Sequence, residues 1–424
     1  MLTRRKYLLG LTWVVAIFVI PLPFIQTLSA GLPAIYSSEK MAIIFGSIAY
    51  SWMLLAIYIG TKPKWLDRLI GLPSAYMLHG ILSIAAIVLA YLHKIGSPSG
   101  GLIKLTGDWA FDLFVGLAIY SLVFMAGWLT SRVKPLAMLK KQLSKKIFKH
   151  EVSVWIHKLN LVATVLVFIH VMLISYIRAI APFMFTFYLY SAFVLVAYLI
   201  SLRPDRGVGA ILANNVEISP RVQELSLQLT KPIDTKAGDF VFLSFPKIAK
   251  MKEPHPFSVV SAPNQNREMV LAIRGDGDFT KNLATVEPGA EALVNGGYGL
   301  YQTTIDNVKP THMIIIAGGI GVVPMLSIVD ANPDIDTTFF YNAHAQNNLL
   351  YPEKFARWEQ RDNFTDYLQV GRFDDETILN TVPRDLSKLV VLIGGPAPMG
   401  RHWVKLFSQL GLNSGQIYYE EFSW

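Results

Sequence analysis

The sequence predicts a multi-domain membrane protein, a six-helix transmembrane bundle followed by a small antiparallel β-barrel and an α/β domain. Three observations carry this expectation. Mean hydropathy is +0.39, and only 16% of the 424 residues are charged, whereas soluble proteins run near 25%. Six apolar runs are each long enough to cross about 30 Å of hydrocarbon, which takes roughly 20 helical residues. Beyond residue 203 the texture changes to short alternating segments, then to strand, turn and helix in succession. The expected domains are 1–202, 203–308 and 309–424.

The apolar runs lie near 7–28, 41–60, 74–94, 110–130, 152–175 and 184–202. The first follows Arg4, Arg5 and Lys6 and ends near Ser29-Ala30-Gly31. That is the outline of a signal peptide, but its length favours an uncleaved anchor. Basic residues crowd three connections: Arg4 to Lys6, then Lys62, Lys64 and Arg68, then Arg132, Lys134, Lys140, Lys141, Lys145, Lys146 and Lys149. The opposite connections carry only Lys40, Lys94, Lys104 and Arg178. By the positive-inside rule both termini are cytoplasmic, and so is the module from 203 onward. Residues 1–202 hold 18 Lys and Arg against 5 Asp and Glu, and residues 203–424 hold 20 against 25, so the net charge of +8 is +13 minus 5. The basic excess sits between apolar runs, where it reads as topology rather than as a nucleic-acid surface. With no cysteine there is no disulfide framework, iron–sulfur cluster, thiolate zinc site or cysteine nucleophile. Any metal falls to His or carboxylate.

Ionisable residues inside spans are costly and mark function. Here His79 and His93 share the third span, and His157 and His170 share the fifth. At 1.5 Å per residue the members of each pair are about 20 Å apart in depth. The third and fifth spans run in the same direction, so His79 faces His157 near the cytoplasmic side and His93 faces His170 near the external side. Each level then offers two imidazoles, the axial ligand set of one haem. His79 and His93 are separated by close to four full turns and share a helix face. His157 and His170, one position closer together, point apart on a straight helix, and with no Pro or Gly between them any correction must come from tilt or local overwinding. The spacing, 14 on one helix and 13 on the other, resembles the transmembrane domain of the ferric reductase and NADPH oxidase family. That resemblance implies two stacked b-type haems ligated by His79, His93, His157 and His170.

In the second half, runs such as Val222 to Leu227 and Phe240 to Leu243 read as strands, punctuated by Pro220, Pro232, Gly238, Pro246, Pro263, Gly289 and Gly296-Gly297. Met313 to Ala317 reads as a buried strand, Gly318-Gly319-Ile320-Gly321 as a tight turn, and Val322 to Pro324 as a helix start. Glycines there let backbone approach a phosphate. His255-Pro256-Phe257-Ser258, then Arg274, then Gly277 to Thr280, then Gly318 to Pro324, then Gly394-Gly395-Pro396 with Met399 and an aromatic C-terminus resemble, in order and spacing, the ferredoxin reductase-type module. The resemblance implies FAD on the barrel and NAD(P)H on the α/β domain. It gives Phe257 to the flavin ring, Ser258 to its reactive nitrogen, and His255, Arg274 and Thr280 to the FAD phosphates or ribityl chain. Pro256 and Gly277 belong to the same stretches. Gly318, Gly319, Gly321, Pro324, Gly395, Pro396 and Met399 serve the nucleotide. Phe422, or alternatively Trp424, stacks over the flavin face that nicotinamide must reach, which makes Ser258, Phe422 and Trp424 the residues nearest the hydride transfer.

Two departures bear on specificity. Gly394 stands where that family carries cysteine. Phe339 to His344 lacks the Arg that a 2′-phosphate needs, and the nearest following cations are Lys354 and Arg357. NADH is therefore expected to serve at least as well as NADPH. The reading is electron transfer from cytoplasmic NAD(P)H through FAD and two haems to an external acceptor, molecular oxygen giving superoxide first and ferric chelates second. Competing readings are transfer to a quinone or partner protein, and a transporter or sensor with a regulatory flavin domain. Asp112 as the one acid well inside a span speaks against a proton path. No calcium-loop pattern occurs, and activity without a protein activator is expected.

Overall fold

The computed structural model describes residues 4–124, 138, 150–203, 207–261 and 267–420. The basic connection from Arg132 to Lys149, apart from Met138, and the aromatic tail with Phe422 and Trp424 lie outside the described residues. The chain divides into two compact units. One holds Leu8–Leu66 and Leu72–Arg203, and the other gathers the chain from Pro204 onward together with Asp67–Gly71.

The first unit is helical, and six of its helical stretches are long and apolar enough to cross a membrane. Tyr7–Gly31 is built from α1 (Arg4–Val14), a π-helical turn (Val15–Val19) and α2 (Leu22–Gly31). Pro21 and Pro23 lack backbone N–H groups, so the regular ladder breaks here. Ile20 N bonds back five residues to Val15 O at 2.9 Å, and the Trp52 indole donates to Ala16 O at 3.1 Å. There follow α3 (Lys40–Gly60), α4 (Lys64–Ile70), α5 (Leu72–Gly96), α6 (Gly101–Phe124), α7 (His150–His157), α8 (Asn160–Leu173), α9 (Ser175–Arg178) and α10 (Ala181–Ser201). Large apolar side chains such as Phe18, Ile119 and Phe185 are exposed, as a lipid-facing surface requires.

The fourth span differs from the sequence expectation. The helix begins at Gly101, well before the apolar run that starts at 110. Hydropathy missed this stretch because Lys104 and Asp108 are polar, but they sit one turn apart on the helix and pair at 2.5 Å. Lys94 joins Asp108 at 3.0 Å. Paired, they extend the helix.

The second unit has two lobes. The first is a six-stranded antiparallel sheet in the order β4-β3-β6-β1-β2-β5, from β1 (Val208–Ser219), β2 (Val222–Leu229), β3 (Phe240–Ser244), β4 (His255–Ser258), β5 (Glu268–Arg274) and β6 (Glu291–Tyr298). The expected barrel is not closed by a ladder. Among the described residues its two ends meet through one bridge, Val259 with Leu271. The short β4 contains Pro256, which suits an edge rather than a closing strand. The second lobe is a five-stranded parallel sheet, β11-β10-β7-β8-β9, built from β7 (His312–Gly318), β8 (Asp336–Ala343), β9 (Phe364–Val370), β10 (Leu389–Gly394) and β11 (Ile417–Tyr419). Its middle strands are near-continuous apolar runs, as burial on both faces demands. One core cluster runs through both lobes, joining Val222, Val260 and Ala272 to Met313, Ile315 and Leu326. Gly238, at φ +76, donates to Ser327 Oγ across the junction at 2.8 Å, and a side chain there would collide with Tyr301 and Ile328.

Candidate functional site

In the helical unit the four histidines come together in the expected pairs. The ring centres of His79 and His157 are 5.9 Å apart, and those of His93 and His170 are 6.1 Å apart. Two imidazoles on opposite sides of one metal, each bonded at about 2 Å, hold their ring centres roughly 6 Å apart. The hydrogen bonds orient the rings. His79 Nδ1 meets Ala56 O at 2.9 Å, His93 Nδ1 meets Ala42 O at 3.0 Å, and His170 Nδ1 meets Ile103 O at 2.8 Å. A carbonyl only accepts, so in each ring Nδ1 carries the proton and Nε2 is left bare. That is the tautomer a metal-ligating histidine needs, with the outer hydrogen bond that fixes it. His157 Nδ1 instead meets Ser121 Oγ at 2.9 Å. Among the described residues no group of three or more His, Cys or carboxylates gathers to hold a bare ion. Two axial nitrogens fit a metal whose other positions a macrocycle fills.

The spacing of His157 and His170 is reconciled by a break. The fifth span is interrupted at Lys158–Leu159, between α7 and α8. Lys158 N, Leu159 N and Leu161 N bond three residues back, to Trp155, Ile156 and Lys158. Three-residue turns advance about 120° per residue rather than about 100°, which is the overwinding that brings His157 toward the face of His170. Asn160 Nδ2 takes up the His157 carbonyl at 2.8 Å.

Glycines make room for the rings. A Cβ on Gly46 would lie 2.9 Å from the His93 ring, and one on Gly107 would lie 3.1 Å from that of His170. Neither was singled out from sequence.

In the sheet unit, β4 pairs with β3 in the register Leu243–His255, Phe242–Pro256, Val241–Phe257 and Phe240–Ser258. All of β4 is half-buried. Phe279 is buried and lies 4.4 Å from His255 and 5.8 Å from Phe257, ring centre to ring centre. Phe257 thus leans on the core while remaining partly accessible. Arg274, at the end of β5, is exposed and bonds Asp276 at 2.6 Å. Its guanidinium lies close to Gly319 of the other lobe. Arg221 also reaches Asp276, at 3.1 Å, so two guanidinium groups share one carboxylate. Thr280 Oγ1 accepts from Gly277 N at 2.8 Å and so turns back on its own helix, α11 (Asp278–Asn282).

In the parallel sheet, β7 leads to β8 and β9 on one side, while β10 and β11 lie on the other. The strand order therefore switches between β7 and β10, and open α/β sheets bind ligands at the carboxyl end of such a switch. The two glycine motifs sit there. Gly319 has φ +55. Side chains on Gly321 or Gly394 would run into each other's backbone, which explains why Gly394 has no side chain. Met399 lies against Gly318 and Gly395, and Tyr419 Oη reaches Gly395 O at 3.3 Å. Pro324 is buried in the first turn of α13 (Val323–Ala331), after α12 (Tyr301–Val308). Pro396 stands at the N-cap of α15 (Ala397–Gln409). Tyr419, packed on Gly400 of that helix, was missed from sequence.

Lys354 and Arg357, the cations nearest in sequence to the expected 2′-phosphate position, point elsewhere. Both lie on α14 (Pro352–Trp358) and bond Asp330, at 2.6 and 2.9 Å, and the Trp358 indole joins them at 2.9 Å. Asp330 ends α13, which runs from the carboxyl edge of the sheet back to its amino edge. Elsewhere in this unit Arg68 makes a two-pronged pair with buried Asp239, at 3.0 and 2.8 Å. Burial pushes the Asp239 carboxyl up to about 6, while Arg68 pulls against it.

The sheet unit pairs an antiparallel lobe with a parallel α/β lobe that carries its glycine turns at a strand-order switch. Residues 210–318 match a family model described as an FAD-binding domain. The chain is 27% identical over 136 residues to ferric reduction oxidase 8, mitochondrial, of Arabidopsis thaliana, covering 30% of this chain and 18% of that protein. It is 30% identical over 132 residues to a probable dihydroorotate dehydrogenase B electron transfer subunit of Methanopyrus kandleri, covering 31% and 45%. Both relatives are thus matched over less than half of their own length. The chain is 26% identical over 238 residues to NADH-cytochrome b5 reductase 1 of Emericella nidulans, covering 50% and 76%. Among solved structures, the CS-b5R domains of human Ncb5or match at 18% identity and TM-score 0.45, covering 51% of this chain and 70% of that one. With six apolar helices, these findings fit an oxidoreductase resembling NADPH oxidases and ferric reductases.

Proposed function

We propose that the protein is a transmembrane flavohaem reductase that carries electrons from cytoplasmic NAD(P)H to an acceptor outside the membrane, molecular oxygen giving superoxide. The observation that carries the haem half is the geometry of the two histidine pairs. Both have the separation of axial ligands, and three of the four rings are held with Nε2 bare. When bound, FAD would accept hydride and the two haems would pass single electrons, which makes flavin the two-to-one electron converter. The chain's own residues divide the work. Ser258 and Phe257 present a hydroxyl and a flat ring on β4 for the flavin. Arg274 with Arg221 supplies positive charge for its phosphates, and the Gly318–Gly321 and Gly395–Met399 turns admit the nicotinamide nucleotide. His79 with His157, and His93 with His170, would hold the inner and outer haems. The domains would be 1–202, 203–308 and 309–424, with both termini cytoplasmic and Phe422 or Trp424 over the flavin.

His93 and His170 would together hold the outer haem and leave it no free position for an acceptor, which would suit one-electron transfer and superoxide. A ferric chelate is the second reading, since the same edge would reduce it. NADH-driven cytochrome c reduction, with and without superoxide dismutase, decides between them when paired with chelate reduction under argon. Dismutase-sensitive reduction is expected. Dismutase-insensitive reduction with fast anaerobic chelate reduction would replace oxygen by iron.

A further inference from the structure

The histidine rings are seated by a repeated device. Ala42 O, Ala56 O and Ile103 O each accept from a ring, and each lies one helical turn before a glycine: Gly46, Gly60 and Gly107. Positions i and i+4 share a helix face; at Gly46 and Gly107 a Cβ would press on the ring, so there the missing side chain leaves the carbonyl at i open to it, whereas a Cβ on Gly60 would meet nothing within 4 Å. On α3 the separation of Gly46 from Gly60 matches that of His79 from His93. On α6 the position at the same separation beyond Gly107 holds not glycine but Ser121. There the pattern changes. His157 Nδ1 bonds the Ser121 hydroxyl at 2.9 Å, while Asn160 Nδ2 donates to the His157 carbonyl at 2.8 Å.

We propose that Ser121 is a positioning residue that holds the reduction potential of the inner haem above the value a fourth glycine would give. This rests on the reading of the histidine pairs as haem ligands. A helix carbonyl is a pure acceptor aligned with its helix, and it draws on the Nδ1 proton and makes Nε2 a stronger donor to iron. A hydroxyl accepts less strongly, because it also donates. The iron facing His157 is then less stabilised in its oxidised form than an iron between two carbonyl-bonded rings. Hydrogen bonding around the ligands is one of the levers by which a protein sets haem potential. A haem at the His79–His157 level would thereby be easier to reduce than it would be with a carbonyl acceptor in place of Ser121.

The test is anaerobic potentiometric titration of the purified full-length protein, following the reduced haem band, with low-spin electron paramagnetic resonance spectra alongside. Ser121→Gly opens the Leu117 carbonyl to His157 and should move one haem wave downward. Ser121→Ala removes the acceptor without opening that carbonyl and should move the same wave upward, or lose that haem. Ser121→Thr keeps the hydroxyl and should restore the wild-type titration. The other wave should stay in place throughout. Two waves unmoved in both the Gly and Ala variants, with unchanged resonance spectra, would overturn the proposal while leaving the haem assignment standing. A wild-type protein without haem absorption would overturn that assignment, and this proposal with it, before any variant is made.

Discussion

At the scale of single residues, the histidines were legible because ionisable side chains are rare in apolar runs, whereas the groups that seat them were not. Gly46 and Gly107 lie on helices other than those of their histidines, and sequence gives no sign of which ring a glycine will face. Their role is open to test. Gly46→Val would drive a branched side chain into the His93 ring. We expect it to halve the haem content per chain while NADH still reduces the flavin, and Gly116→Val, where open space surrounds the glycine, should change neither. Haem content by pyridine haemochrome decides; equal content in both variants would remove the steric argument. Asp239 offers a second residue-scale prediction. Its carboxyl is pushed up to about 6 in the folded protein, against about 3.9 in an unfolded chain. The folded state therefore binds the proton more tightly, and this group's contribution to stability is largest below about pH 4 and is lost as pH rises through about 6. At about 1.4 kcal/mol per pH unit the contribution is at most on the order of 3 kcal/mol. Comparing unfolding midpoints of wild type and Asp239→Asn from pH 4 to 7 should show the wild type losing stability relative to the variant. A constant difference between the two would contradict the assignment. The charged groups facing Asp239 are Arg68, from the short helix α4, and Asp67 beside it.

At the scale of elements, hydropathy located the spans well where the helix and the apolar run coincide, and failed at α6, where ion-paired Lys104 and Asp108 carry the helix beyond the run. The break between α7 and α8 was hidden for a different reason. It contains neither Pro nor Gly, so nothing local announces it; only the need to bring His157 and His170 toward one helix face required it. The α/β lobe was legible through its glycine turns, whose residues must let two backbones touch at the strand-order switch. The antiparallel strands of the barrel-like lobe were legible from alternation, but alternation does not show how the sheet's two ends meet, which among the described residues is through the Val259–Leu271 bridge. The fate of α14 was equally invisible, since Lys354 and Arg357 follow the expected nucleotide edge in sequence and only the fold turns them to Asp330. Replacing both by alanine should therefore leave the ratio of kcat/KM for NADH to that for NADPH within about threefold, roughly under 1 kcal/mol at about 1.4 kcal/mol per tenfold. Initial rates with each nucleotide check this. A larger fall in NADPH use would place these cations at the 2′-phosphate after all.

At the scale of the whole molecule, two units that differ in every physical respect are joined in one chain, one apolar and carrying two imidazole pairs, the other carrying the glycine turns and aromatic edge of a flavin and nicotinamide module. Neither accounts for the other alone. A flavin module needs no membrane histidines, and paired membrane histidines need a source of electrons. The central claim is that the pairs hold two haems reduced in turn from the flavin. The most direct test is a single anaerobic experiment on the purified full-length protein: haem and flavin are quantified per chain, NADH is added, and the reduced-minus-oxidised spectrum is followed. The account predicts two b-type haems and one FAD per chain, with both haems reduced by NADH, and loss of one haem in His93→Ala or His170→Ala without loss of flavin reduction. A protein that carries FAD and oxidises NADH, yet shows no haem absorption or no NADH-dependent haem reduction, would contradict it.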